Sequence, residues 1–202
     1  MKRGIIVSIQ GYSYQTISEL AKDAISASCV GLRIDKKITL DMTHKLPIIG
    51  LKKSHVSDPK VEAYITANPE VVAAVAPWCD YVAIDARRCN SALASLMLYC
   101  KERRIKVVAD IECFEDFQAL KDAGYEYEFV STTFSVFKQM YEPDIRLVEK
   151  LAPHEKKLIA EGNYKSRKDV KSAFAAGAYA VCIGGAISNV YKLTKKFTSV
   201  SI

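Results

Sequence analysis

Two lysines, Lys52 and Lys53, follow the apolar run PIIGL, and a glutamate, Glu161, follows the run LIA. A lysine and a carboxylate facing one pocket suit proton transfer at a carbon next to a carbonyl. Partial desolvation beside Arg33 would lower the ammonium pKa toward the working range of a general base. Side chains alternate along a strand, so both lysines enter one pocket only if the strand has already ended; alternation leaves open which of them enters. The bland alternative is a Lys–Glu salt bridge at a protein mouth, with no chemistry attached.

Something must bring these residues together. Short apolar, β-branched runs recur at 4–9, 30–34, 47–51, 81–84, 106–110, 127–130, 157–160 and 180–183. Several are apolar throughout rather than alternating, the pattern of strands buried on both faces of a parallel sheet. Helical patterns separate them. Ile17, Leu20, Ala21, Ala24 and Ile25 form one apolar face, as do Leu93, Leu96, Met97 and Cys100, with a narrower stripe at Phe114, Phe117 and Leu120. SRKD at 166–169 has the form of a helix-start capping box, and Gly124 and Gly177 sit where helices should stop. The link between the second and third strands is less regular: 36–45 has little helical periodicity, and 61–66 has the look of an extra short strand. Strand and helix alternating about eight times predict a (β/α)8 TIM barrel forming a single domain over residues 1–202. A doubly wound sheet of about six strands is the alternative, but it leaves some of the runs unused.

A barrel of this kind keeps its chemistry at the carboxyl ends of its strands. Those ends hold Gln10, Arg33, Lys52 and Lys53, Asp85, Asp110, Thr132 and Thr133, Glu161, and Gly184-Gly185. A ring of Gln, Arg, Lys, Asp and Glu is more than a solvated rim requires. Gly162 and the Gly184-Gly185 pair fall after strands seven and eight, where barrels bind phosphate through backbone N–H groups.

The totals exclude several other classes. The 202 residues are 50% hydrophobic and 26% charged, with no linker-like tract. The net charge of +6 is spread along the chain, with no basic stripe interleaved with aromatics, so no nucleic-acid partner is expected. No apolar stretch reaches the length of about 18 residues needed for a membrane span, and the N-terminal run is broken at Ser8 and Gln10, so neither a membrane partner nor a signal peptide is expected. The six cysteines show no CxxC and no Cys/His cluster at metal spacing. They read as reduced thiols of a cytoplasmic protein with no bound metal.

The segments IIVSIQG, VGLRI, PIIGLKKSH, YIT at 64–66, YVAIDARR, VVADIECFED, STTFSVF, LIAEGNY, GAYAVCIGGAIS and KLTKKF, in this order, resemble the N-acetylmannosamine-6-phosphate 2-epimerase family. The resemblance implies a (β/α)8 barrel that inverts C2 of N-acetylmannosamine 6-phosphate to give N-acetylglucosamine 6-phosphate, in amino-sugar and sialic acid catabolism. It implies no cofactor, and a small-molecule sugar phosphate as partner. By position it assigns Lys53 as catalytic lysine and Glu161 as its partner carboxylate. Gln10, Arg33 and Asp110 fall on sugar-contacting positions; Gly162, Gly184 and Gly185 fall on the phosphate side. Where the family carries an arginine after its last strand, this chain reads Ile187-Ser188-Asn189. Backbone N–H groups, Ser188 or a lysine such as Lys192 are then expected to hold the phosphate. Helix faces in this fold often pair, so a homodimer is expected.

Overall fold

The computed structural model describes residues 1–39, 46–55, 60, 62–133 and 142–198. Eight strands close into one barrel in sequence order: β1 (Gly4–Ile9), β2 (Gly31–Ile34), β3 (Ile48–Gly50), β4 (Tyr81–Asp85), β5 (Val107–Ile111), β6 (Phe129–Thr132), β7 (Leu158–Glu161) and β8 (Ala180–Ile183). Every neighbouring pair is parallel, and β8 returns to pair with β1. The helices are α1 (Tyr14–Ser26), α2 (Pro69–Val75), α3 (Leu93–Glu102), α4 (Phe114–Asp122), α5 (Ile145–Leu151), α6 (Arg167–Ala175), α7 (Gly185–Ser188) and α8 (Val190–Thr198), with a 3-10 turn at Ala76–Trp78. The expected (β/α)8 barrel is the observed fold, and the doubly wound alternative falls with the closure of β8 onto β1.

Alternation sorts each strand into two faces. Ile6, Ile49, Leu51, Ala83, Val108, Phe129, Ile159, Ala180 and Cys182 pack together inside the barrel. Val82, Ile84, Val107, Ala109, Val130, Leu158, Ala160 and Val181 meet the helix layer outside. This double burial is why the strands read as continuous apolar runs. The same parity carries Ser8, Arg33, Asp85, Asp110, Ser131 and Glu161 to the lumen, at or beside the carboxyl ends. Register then levels them: Asp85 pairs with Asp110, Asp110 with Ser131, and Ser8 with Arg33.

Local chemistry fixes the helix ends. Ser166 and Asp169 form the expected capping box at the start of α6. Gly124 and Gly177, just past α4 and α6, adopt φ of 65° and 103°, a left-handed stop that favours glycine. Helices α2 and α5 lie where no apolar stripe was recognised. Their signals are caps: the Asn68 side chain accepts from Val71 N ahead of Pro69, and Asp144 accepts from Leu147 N. The strand expected at 61–66 is not a strand over its described residues; Ile65 makes an isolated antiparallel bridge with Lys53. Residue 61 lies outside the described residues, as do 40–45 of the second connection and 134–137 of STTFSVF.

Candidate functional site

The lumen-facing ends of β2, β5 and β7 meet in one ion network. Arg33 grips Asp110 with both terminal nitrogens, Nη1 donating to Oδ1 at 3.1 Å and Nη2 to Oδ2 at 2.5 Å. Its Nη1 also lies 3.3 Å from Oε2 of Glu161. Ser131 donates to the same Oε2 at 3.2 Å. Arg33 and Asp110 are buried, whereas the Glu161 side chain keeps 19% of its surface open. A bidentate arginine–carboxylate pair fixes geometry as well as charge. The Nε of Arg33, buried and without a hydrogen-bond partner among the described residues, is a donor left over.

Two carboxylates share this one buried guanidinium. Burial pushes the Glu161 carboxyl above its ordinary value; nearby Asp110 adds to the rise and Arg33 opposes it. Burial lifts Asp110 too, against the stronger hold of Arg33. Glu161, with the longer contact and the open face, is the group suited to carrying a proton. Beside it, burial raises the Cys182 thiol well above its usual range, so Cys182 stays neutral.

Tyr64 closes the network from above. Its hydroxyl lies 3.0 Å from Asp110 Oδ2 and 2.8 Å from Thr133 Oγ1. Sequence reasoning placed Tyr64 in a motif but gave it no role. The signal is there in retrospect: a tyrosine shortly after the Lys52-Lys53 pair, where the chain turns back over the mouth.

Lys53 leaves β3 on the lumen side. Ile49 and Leu51 point inward, whereas a Cβ on Gly50 would meet Val75 Cγ1 at 2.7 Å and Cys79 Sγ at 2.8 Å in the helix layer. Continuing that parity puts Lys53 with Leu51 and Lys52 on the outer side. Both lysines are exposed.

A cavity of about 540 Å³ opens next to Glu161, lined among others by Gly162, Asn163, Lys165, Gly184 and Gly185. Gly162 and Asn163 both take positive φ, 101° and 61°, which turns the loop after β7 sharply into the cavity wall. The first N–H groups of the short α7, at Gly185 and Ala186, have no intrahelical acceptor. Lys165 is the one basic residue lining this cavity among the described residues. Another hollow, of about 600 Å³, lies between α5 and the C-terminal half of α6, away from the residues at the carboxyl strand ends.

Gln10 donates its amide to the lumen-facing Ser8 Oγ at 2.8 Å, beside Arg33 in register. Not every expected residue lines this cavity. The buried Ser188 hydroxyl lies 3.1 Å from the Ser8 carbonyl and 3.2 Å from that of Gly184, so it is occupied inside the α7–β1 contact. Ser188 and Asn189 are not among the residues lining the cavity. The Lys192 side chain lies outside the described residues.

A closed parallel barrel with its buried charges and glycine loops at the carboxyl strand ends defines a (β/α)8-barrel enzyme. The chain belongs to the N-acetylmannosamine-6-phosphate epimerase family: residues 17–201 match the family described as "Putative N-acetylmannosamine-6-phosphate epimerase". It is 31% identical to the "Putative N-acetylmannosamine-6-phosphate 2-epimerase" of Clostridioides difficile, over 98% of this chain and 95% of that one. A Staphylococcus saprophyticus protein of the same name is 27% identical, over 98% and 97%. The solved N-acetylmannosamine-6-phosphate 2-epimerase of Clostridium perfringens superposes with a TM-score of 0.84 at 26% identity, covering 98% of this chain and 93% of that one. The (S)-3-O-geranylgeranylglyceryl phosphate synthase of Thermoplasma acidophilum shares only the fold, with a TM-score of 0.60 at 10% identity, covering 96% and 89%. No helix of the described residues is long and apolar enough to cross a membrane.

Proposed function

We propose that this chain interconverts N-acetylmannosamine 6-phosphate and N-acetylglucosamine 6-phosphate by moving a proton at C2. The observation that carries the reading is the Arg33–Asp110–Glu161 network, set in the lumen with a lysine leaving β3 on the same side.

The C2 hydrogen is acidic only when C1 is a carbonyl, so the sugar reacts in its open form. Lys53 takes the C2 proton as the general base, and the electron pair moves into an enolate whose negative charge develops on O1. The fixed positive charge of the Arg33 guanidinium, held beside Glu161 in the lumen, stabilises that charge electrostatically. Glu161, whose burial shifts its carboxyl toward the protonated form, returns a proton to C2 from the other face. Lys53 ends protonated and Glu161 ionised, and solvent exchange resets both. Asp110 keeps Arg33 charged and aimed. At the far end, the loops at Gly162 and Gly184-Gly185 offer backbone N–H groups to the phosphate, and Lys165 supplies the positive charge.

Proton NMR of N-acetylmannosamine 6-phosphate in deuterated water tests this directly. The protein should place deuterium at C2 and build the gluco epimer. Binding without exchange at high enzyme concentration would make this a sugar-phosphate-binding barrel instead.

All six cysteines are free thiols, which supports work in the reducing cytoplasm. The exposed apolar Ile187, Val190 and Tyr191 support a homodimer through α7 and α8. A single monomeric species in sedimentation at micromolar concentration would remove that assignment.

A further inference from the structure

Asp85 and Arg87 take no part in the step above, yet both are buried. Arg87 holds Asp85 bidentately, Nε to Oδ1 at 2.9 Å and Nη2 to Oδ2 at 2.7 Å. Taking such a pair out of water is costly, so its value lies in what it holds. Besides a 3.8 Å approach of Arg87 Nη1 to Glu112 Oε2, the pair holds one short segment. Asp85 Oδ2 accepts from the backbone N–H of Tyr64 at 3.0 Å. Arg87 Nη2 donates to the carbonyl of Glu62 at 3.2 Å, and the guanidinium lies 4.9 Å from the centroid of the Tyr64 ring.

The other edge of that segment is bonded to the chain leaving β3. Ser54 N donates to the Tyr64 carbonyl at 2.9 Å, and Thr66 N donates to the Lys52 carbonyl at 2.7 Å. These two bonds flank the bridge between Lys53 and Ile65. From Arg87 the path to the neighbours of Lys53 runs through the ion pair with Asp85, the Asp85–Tyr64 hydrogen bond and the backbone hydrogen bonds of Ser54 and Thr66, with the Glu62 carbonyl as a second anchor, rather than through loose packing.

We propose that the Arg87–Asp85 pair is a clamp that presses residues 62–66 against the exit of β3 and so positions Lys53 over the barrel mouth. Arg87 is then a positioning residue for proton transfer. This rests on the assignment of Lys53 as the base.

The alternative is that the pair merely neutralises a buried strand end. Arg87→Lys separates the two: it keeps a positive charge beside Asp85 but loses the fork that reaches the Glu62 carbonyl and stacks on Tyr64. In this variant the amides of Ser54 and Thr66 should exchange with deuterium about tenfold faster or more, while those of β4 and β5 stay as in the wild type. The turnover number should fall by about tenfold to a hundredfold, with KM for the sugar phosphate within about threefold of wild type. Tyr64→Phe, which keeps the ring and both backbone bonds, should leave Ser54 and Thr66 protected. Wild-type protection of those two amides in Arg87→Lys would overturn the clamp. So would a loss of turnover in Arg87→Lys without faster exchange at Ser54 and Thr66. Should Arg87→Lys unfold, Arg87→Gln read by the same amides serves instead. Amide exchange needs no substrate, so it decides the clamp even if the wild-type protein moves no proton at C2, a result that would count against the epimerase assignment alone.

Discussion

Lys53 is bridged antiparallel to Ile65, whose side chain is buried with Ile49 and Leu51 inside the barrel. Residues paired across a bridge project to the same side, so this pairing and the parity of β3 agree on the direction in which Lys53 departs. Lys52 projects the opposite way. Lys53→Ala should therefore lower C2 deuterium exchange by about a thousandfold or more, the scale of a lost general base, while Lys52→Ala keeps most of it. Equal losses in the two variants would refute the assignment.

Glu161 contributes to stability with the sign opposite to an ordinary salt-bridged carboxylate. Its folded pKa is raised above the unfolded value, chiefly by burial and then by Asp110, so the folded state holds the proton more tightly. The cost of ionising it is absent below the unfolded carboxylate pKa and complete once pH has risen past the folded value. Glu161→Gln removes that cost and should raise the melting temperature at neutral pH, by about 2–4 °C for each kcal/mol relieved. Its melting temperature should converge with the wild type as pH falls through the carboxylate range. The same variant should lose C2 inversion. A scan in which the two proteins converge at high pH instead would show that Glu161 is stabilised as the anion.

The barrel was legible because each strand is buried on both faces and carries an uninterrupted apolar run. The edges were less so, for a reason tied to function. β6 was expected over 127–130 but runs Phe129–Thr132, because its last two residues are the polar Ser131 and Thr132. An apolar pattern ends where the site begins, so β4, β6 and β7 extend one or two residues beyond their expected ends, through Asp85, Thr132 and Glu161. Arg33, Asp110 and Glu161 could be nominated from strand position alone. The pairing of Arg87 with Asp85 could not, since nothing in the order of residues says that the guanidinium folds back onto its own strand end. Nor did sequence spacing reveal that the Ser188 hydroxyl is turned onto the Ser8 carbonyl or that Lys165 lines the cavity.

The phosphate end gives a pair of opposed substitutions. Among the described residues Lys165 is the basic side chain lining the cavity, whereas Asn189 does not line it. Lys165→Ala should raise KM for the phosphorylated sugar by about tenfold, in line with one charge-assisted hydrogen bond, with little change in turnover number. Asn189→Arg should lower KM. If Lys165→Ala leaves KM at the wild-type value, the phosphate is held by backbone N–H groups alone.

Gly50 links packing to catalysis. Its backbone lies outside the left-handed region, so alanine is conformationally acceptable there and the obstacle is space. The added Cβ would stand 2.7 Å from Val75 Cγ1 and 2.8 Å from Cys79 Sγ, both on the outer layer behind β3. Relief requires α2 to retreat or β3 to move toward the lumen. Overpacking of this kind costs about 1–3 kcal/mol, visible as a lower melting temperature. If β3 is what moves in Gly50→Ala, Lys53 moves with it, and turnover should fall further than the remaining folded fraction accounts for. Turnover that merely tracks that fraction would mean α2 gives way and the exit of β3 stays fixed.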